Sequence, residues 1–354
     1  MVRQLLHNNP GVSGEEKFAH DTIIEYLKPL SPTHLYDHVG GYGVVAIWES
    51  DPEAKTIAFR ADIDALPIGH RCGHDGHTAI MLRFAELVAA NPLPHLNTML
   101  IFQPEEETGM GAAKIVQSGL LQNVAAIYGL HNLPGYPLGQ VVLNKGTFAA
   151  ASSGVVYRLQ GRETHASTPE KGVNPGLAVS EIIQAMLQLN TNPSDLQHFQ
   201  QATLICVRLG EEAFGTSAGS ADVMFTLRAY TNRQMNLLLD TANNIAKDAA
   251  IRHHLELKTS YREPFKATEN DPQLVAELGK LAAGFGYDVV MQETPFRWSE
   301  DFAEYQLQIP GVLFGIGAGE THAELHHPEY DFPDEIIEPS AQLFAHIRGE
   351  QGIK

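Results

Sequence analysis

Arg71-Cys72-Gly73-His74-Asp75-Gly76-His77 sets a thiol and imidazoles side by side in one glycine-rich turn. Cysteine is scarce in this chain, which has only Cys72 and Cys206. A thiolate and an imidazole at the Cys72–His74 spacing can reach one metal ion from a short loop. Just upstream, Thr56-Ile57-Ala58-Phe59-Arg60-Ala61-Asp62 reads as a buried strand that ends in acidic residues, Asp62 and then Asp64. Just downstream, Gly76 to Ala90 reads as a helix in which Ile80, Leu82, Phe84 and Leu87 are apolar. Asn97 to Phe102 is a second strand that runs straight into Glu105-Glu106-Glu107, and Val124 to Leu130 is a third that ends at His131. Strand, ligand, helix, strand, ligand is the rhythm of an α/β sheet, whose sites lie beyond the carboxyl ends of the strands. With His326-His327 further on, these clusters of hard and borderline ligands fit a dinuclear metal site.

Each feature also has a plainer explanation. A lone Cys-x-His is more often a buried structural cysteine beside a hydrogen-bonded loop histidine. The carboxylates and histidines at later strand ends shift the balance to metal. A Cys72 nucleophile paired with His74 fits less well: two-residue spacing in a tight turn poorly suits an in-line thiolate–imidazolium pair, and it leaves the glutamates without a task. A run of glutamates is usually a solvated loop, and His131 or His326-His327 alone would be a core histidine or a surface loop. Here the glutamates follow the apolar strand Met99-Leu100-Ile101-Phe102 directly. Adjacent side chains leave a strand end in different directions. One carboxylate can then bind metal while its neighbour faces the substrate as a base, the division of labour that metal hydrolases need. The remaining histidines, such as His253 and His254, read as surface residues.

At 354 residues the chain exceeds one ordinary core, and two domains are expected. After Gly146-Thr147-Phe148 the pattern changes. Val155 to Gln160, Thr203 to Arg208, Ala221 to Tyr230 and Leu255 to Tyr261 read as strands, with Pro175 to Leu189 and Asn236 to His254 as amphipathic helices. That is β-α-β-β-α-β, the ferredoxin-like split order. It predicts a domain over 152–261 inserted into a first domain formed by 1–151 and 262–354. The first domain resumes with Pro272 to Phe285 helical and Gly311 to Gly317 as a strand ahead of His326. Near the start, Ser13-Gly14-Glu15-Glu16 fits a capping box opening a helix that carries Phe18, Ile23, Ile24 and Leu27. The net charge of −18 argues against nucleic acid or an anionic membrane surface as partner. No apolar run approaches the ~18 residues of a membrane span. With no secretory h-region at Met1–His7 and no disulfide framework, the expected location is cytoplasmic.

The order of the motifs resembles the amidohydrolase branch of the aminoacylase/carboxypeptidase metallopeptidase family, which includes hippurate hydrolases, N-acyl-amino-acid amidohydrolases and auxin-conjugate hydrolases. The stretches that carry the resemblance are Phe59-Arg60-Ala61-Asp62-Ile63-Asp64-Ala65-Leu66-Pro67, Cys72 to His77, Phe102-Gln103-Pro104-Glu105-Glu106-Glu107, Gly129-Leu130-His131-Asn132 and Leu325-His326-His327-Pro328-Glu329-Tyr330-Asp331. Ser299-Glu300-Asp301-Phe302 and Leu6-His7-Asn8-Asn9-Pro10 also fit, so nearly the whole chain is covered. The resemblance implies an α/β metallopeptidase-type catalytic domain, a mixed sheet flanked by helices, with an inserted ferredoxin-like α+β lid domain that dimerises. It implies a pair of divalent ions per subunit (Zn, Mn, Ni or Co), bridged by Cys72 and held further by His74, Glu107, His131 and His326. Glu106 would be the general base, and Asp64 would steady a ligand histidine. His165, lent by the partner subunit of a homodimer, would stabilise the tetrahedral oxyanion. Arg228 is a candidate for the substrate carboxylate, set against a salt bridge within its own domain.

The implied activity is metal-dependent hydrolysis of the amide of an N-acyl amino acid or similar small conjugate. The same machinery would serve a di- or carboxypeptidase. A ligand-binding protein on a hydrolase scaffold is the non-enzymatic alternative, and the intact ligand set and Glu106 stand against it. The chain departs from the family pattern in three places. The Pro67–Cys72 stretch is short, Glu170 stands where a second histidine is usual, and an Asn-Val-Ile-Pro turn is absent around Gly215–Ala218.

Overall fold

The computed structural model describes residues 2–353. By its contacts the chain divides into two compact units: residues up to Phe148 with Thr268–Glu293 and the chain from Glu300 onward, and Ala149–Ala267 with Thr294–Ser299. The first unit is built on an eight-stranded sheet in the order His34–Val39, Gly43–Trp48, Leu96–Gln103, Lys55–Asp62, Val124–Pro134, Gly311–Gly319, Val141–Leu143, Val289–Met291. Its middle four strands are parallel neighbours. Antiparallel pairings join the outer strands on both sides, which makes the sheet mixed. Strand Leu96–Gln103 is buried at every position. Parallel strands covered on both faces need such continuous apolar runs, and for that reason they are easy to see in a sequence.

Helices His74–Ala90 and Ile337–Ile353 pack together and against the sheet. Phe59 anchors that packing, with ring centroids 4.7 Å from Phe84 and 5.1 Å from Phe344. A side chain at Gly76 would put a Cβ 2.2 Å from the Phe332 ring, so only glycine lets this helix approach so closely. Because the middle strands are parallel and adjacent, Asp62, Gln103 and His131 come to the same edge of the sheet, and the glutamate run and the Cys72 turn begin there.

The second unit has a four-stranded antiparallel sheet in the order Gln200–Leu209, Ser220–Ala229, Ala151–Gln160, Glu256–Phe265. Numbered along the chain this is 4-1-3-2 read from the other edge, the ferredoxin-like arrangement. Helices Gly176–Leu187 and Asn232–Arg252 supply its core with the sheet: Ile182, Leu238, Ala242 and Ala246 meet Tyr157, Val223 and Phe225. No helix among the described residues is long and apolar enough to cross a membrane.

Two helix starts differ from the sequence expectation. Ser13 caps no helix; its hydroxyl donates to Asp64 Oδ2 at 2.7 Å, and the helix runs Lys17–Leu27 without a side-chain cap. A capping box is formed instead by Thr231 with Gln234, and its helix starts at Asn232, four residues ahead of the expected Asn236.

Candidate metal centre

The ligand-bearing segments meet at the carboxyl edge of the parallel strands. Cys72 Sγ lies 3.8 Å from His131 Nε2. His74 Nε2 is 3.9 Å from Glu107 Oε1 and 4.0 Å from Glu106 Oε2. Cys72, Glu107 and His326 also offer ligand atoms within 4.8 Å of one another, as do Cys72, His74 and His131. Atoms each ~2.0–2.3 Å from a shared ion stand at such separations. The five residues expected as ligands are therefore gathered in overlapping groups, with Cys72 common to two of them.

Local structure orients these donors. His74 opens the helix His74–Ala90, and its Nδ1 lies 3.1 Å from the Asp64 carbonyl and 3.3 Å from Asp64 Oδ1. With Nδ1–H donating to Asp64, Nε2 is left as a bare acceptor. His131 is fixed the same way, Nδ1–H donating to the Asn132 carbonyl at 2.9 Å. Asp64 is in turn held by Ser13 and by the Glu107 amide at 3.0 Å. His326 takes a left-handed backbone, φ 66°, and its amide donates to the Arg71 carbonyl at 2.8 Å, next to Cys72. The short Pro67–Cys72 connection is a closed turn, with the Gly69 amide on the Leu66 carbonyl.

These residues fit divalent ions on a direct structural test. His74 Nε2 and Glu107 Oε1 are buried and have no hydrogen-bond partner. Buried polar atoms without a partner are uncommon and call for a reason, and a shared cation provides one. Electrostatics point the same way. Burial alone would lower the His74 pKa, but Asp62, Cys72 and Asp64 outweigh it and hold the imidazole well above its ordinary range. The pocket thus has surplus negative charge and favours a positive one, a role a divalent ion fills better than a proton. Burial pushes the Cys72 thiol up to about 12, so it has no thiolate character of its own, against a cysteine nucleophile. Burial, with Asp64 and Asp62 nearby, lifts Glu107 to about 7 against the pull of His74. Glu106 is pushed well above the ordinary glutamate range by burial and by Glu300, Glu107 and Asp301.

A second layer of buried charge was not foreseen from the residues. Arg60, fully buried, reaches Asp62 at 2.6 Å, Glu300 at 2.9 Å, Asp301 at 2.8 Å and Gln103 at 2.8 Å. Asp301 also accepts from the Ala112 amide at 2.9 Å, tying down the helix after the glutamates. His77 bridges Asp62 and Asn132, and Asn132 also bonds Tyr330. The sequence signals for these roles were faint: Arg60 inside an apolar strand, and His77 one turn after His74.

His165 and Arg228 belong to the second unit. His165 is exposed on the short strand Thr164–His165, which pairs with Thr216–Ser217, and its Nδ1 is 2.7 Å from Ser167 Oγ. Among the described residues Arg228 makes no salt bridge of the kind weighed above: its Nη1 donates to the Arg297 carbonyl at 2.8 Å and to Ser299 Oγ at 3.0 Å.

Known proteins match this chain along nearly its whole length. Residues 58–348 match the family model described as peptidase family M20/M25/M40. The chain is similar to the N-acetylcysteine deacetylase of Bacillus subtilis, 28% identical over 98% of this chain and 94% of that protein. It is similar to IAA-amino acid hydrolase ILR1-like 4 of Arabidopsis thaliana, 30% identical over 97% of this chain and 83% of the relative. Among solved structures, a Bacillus subtilis protein described as a dinuclear metal binding peptidase from the M20 family superposes with a TM-score of 0.85. It is 25% identical, covering all of this chain and 97% of that one.

Proposed function

This chain belongs to peptidase family M20/M25/M40, and we propose from that premise that it is a metal-dependent amidohydrolase acting on N-acyl amino acids or similar small conjugates. The observation that carries this reading is the convergence of Cys72, His74, Glu107, His131 and His326 around bare buried donor atoms, with Glu106 beside them. The relatives named for deacetylation and for hydrolysis of amino-acid conjugates support the substrate class.

We assign metal binding to those five residues, with Zn, Mn, Ni and Co all compatible with a thiolate, imidazoles and a carboxylate. A bound pair of divalent ions supplies Lewis acidity, polarising the amide carbonyl and acidifying water. Asp64 holds the His74 ring with Nε2 turned inward, and the Asn132 carbonyl does so for His131. Glu106 takes the proton of the attacking water and later returns it to the leaving amine. We further propose that His165, on the lid of a dimer partner, donates to the developing oxyanion. Arg228 keeps donors beyond Nη1 for a substrate carboxylate.

The test is a parallel assay of N-acetyl and N-aroyl amino acids against dipeptides, on protein reconstituted separately with each metal. Hydrolysis of the acyl amino acids well ahead of dipeptides is expected. Preferential dipeptide cleavage would make the protein a peptidase, and no turnover of either with any metal would remove the enzymatic reading.

A further inference from the structure

A second cluster of metal-ligating side chains lies outside the Cys72 centre. His20, on helix Lys17–Leu27, and Asp37 and His38, on strand His34–Val39, bring ligand atoms within 4.8 Å of one another. Three observations set the cluster apart from ordinary surface. His20 is 4% exposed, and its Nε2 is buried with no hydrogen-bond partner. His20 Nδ1 is 2.9 Å from Asp21 Oδ1, so Nδ1–H donates there and Nε2 carries the free lone pair. A carboxylate behind an imidazole is the arrangement that fixes metal-ligating histidines. Finally, the strand departs from regular geometry here. His38 has a left-handed backbone, φ 54°, and the pairing register slips between Tyr36 and Val39.

Asp37 and His38 therefore sit in a bulge on the edge strand of the large sheet. A regular strand would send neighbouring side chains to opposite faces. A bulge re-aims them, and here both ligand groups come to His20. The His20 and His38 ring centroids are 4.4 Å apart, and the Tyr42 ring stands 6.0 Å and 5.8 Å from them.

We propose that His20, Asp37 and His38 form a separate site for a single divalent transition-metal ion such as Zn²⁺, with solvent completing its coordination. Two imidazoles and one carboxylate suit zinc, nickel or copper and disfavour calcium or magnesium. The site joins the helix Lys17–Leu27 to the bulged end of strand His34–Val39, just before the turn that carries Gly41. Both segments flank the glutamate loop. Glu16, one turn before His20, accepts from the Glu105 amide at 2.9 Å. A Cβ on Gly41 would lie 3.3 Å from Glu105 Oε1. The ion is thus structural, a clamp across the two supports of the loop that carries Glu106 and Glu107.

The test is zinc titration of metal-stripped protein against a chromophoric chelator, reading ions bound per chain, with a thermal midpoint measured alongside. The comparison is wild type with His38→Asn, Asp37→Asn and Cys72→Ala. Asparagine tolerates a left-handed backbone, and both altered positions are exposed, so each variant should fold and either one suffices. Wild type should bind one more ion than His38→Asn or Asp37→Asn, with that site weakened roughly tenfold or more in each. Cys72→Ala should keep it, and zinc should raise the midpoint of Cys72→Ala more than that of the same protein carrying His38→Asn. Equal stoichiometry in wild type, His38→Asn and Asp37→Asn would overturn the proposal and leave a buried water as the partner of His20. An extra ion lost in Cys72→Ala but kept in His38→Asn would overturn it too, assigning that ion to the Cys72 centre.

Discussion

Replacing Arg60 by Met tests whether one buried guanidinium holds the floor of the metal centre together. Methionine keeps the length and flexibility of the side chain and removes its charge. Asp62, Glu300 and Asp301 would lose a cation 2.6–2.9 Å away, and all three are almost fully buried. Breaking a buried pair by removing one partner costs about 3–5 kcal/mol, since it strands a charge in a poor dielectric. Three stranded partners would not triple that. Burial and Glu300 already hold Asp301 well above the ordinary carboxylate range despite Arg60, so it takes up a proton readily once the arginine is gone. At roughly 2–4 °C per kcal/mol for a unit of this size, the apparent melting midpoint should fall by about 6–20 °C at pH 7. The sign of the pH dependence follows. In the variant the folded state has carboxylates with raised pKa values, so it binds more protons than the unfolded chain and gains relative stability as pH falls. The deficit should shrink between pH 7 and pH 5. The assay is thermal unfolding of both proteins at matched saturating metal, comparing apparent midpoints because two compact units need not unfold together. A shift under about 1 °C, or a deficit that widens on acidification, would refute Arg60 as the hub of that cluster.

Other expectations follow from the same geometry. Glu106→Gln should retain its metals while turnover falls by ~10²–10⁴-fold, and Glu107→Ala should lose metal by elemental analysis; the reverse pattern would swap their roles. Burial raises the Asp75 pKa, but hydrogen bonding from His7 and the charges of His70 and Arg3 outweigh it and hold the group below its ordinary value. Its contribution is therefore fully present above about pH 4 and lost as pH falls through the lower folded value, so Asp75→Asn should cost about 1–3 kcal/mol at pH 7 and less near pH 3, by urea unfolding. Mixing inactive His165→Ala with inactive Glu106→Gln should restore part of the activity, because one composite site per heterodimer is intact. No recovery in mixtures shown to exchange subunits would place the action of His165 within its own chain or nowhere.

What the sequence made legible was whatever depends on neighbours in the chain. Strands Lys55–Asp62, Leu96–Gln103 and Val124–Pro134 announce themselves because burial on both faces forces apolar runs, and the ligands stand at or just past their ends. The split β-α-β-β-α-β order was visible through alternation instead, as in Ser220–Ala229, which buries every second residue, and through the periodicity of its two helices. Long-range partners outside the ligand motifs were not visible. Ser13 and Glu16 satisfy a local capping pattern, yet Ser13 is claimed by Asp64, 51 positions away, and Glu16 by the Glu105 amide. Arg60 finds Glu300 and Asp301 some 240 positions on, a pairing that only the folded sheet creates. The bulge at Asp37 and His38 depends on the register with strand Gly43–Trp48, which no periodicity encodes, so His20 and His38 gave no sign of their meeting.

The most direct test of the central claim is the activity of chelator-stripped protein on an N-acetyl amino acid as divalent metal is returned in measured equivalents. Carrying His38→Asn in the tested protein weakens the proposed second site, so that the Cys72 centre fills first. The stripped protein should be inactive, and activity should return and level off once a pair of ions per chain is bound, with Cys72→Ala failing to recover. Full activity in protein shown by elemental analysis to hold no metal would contradict the account.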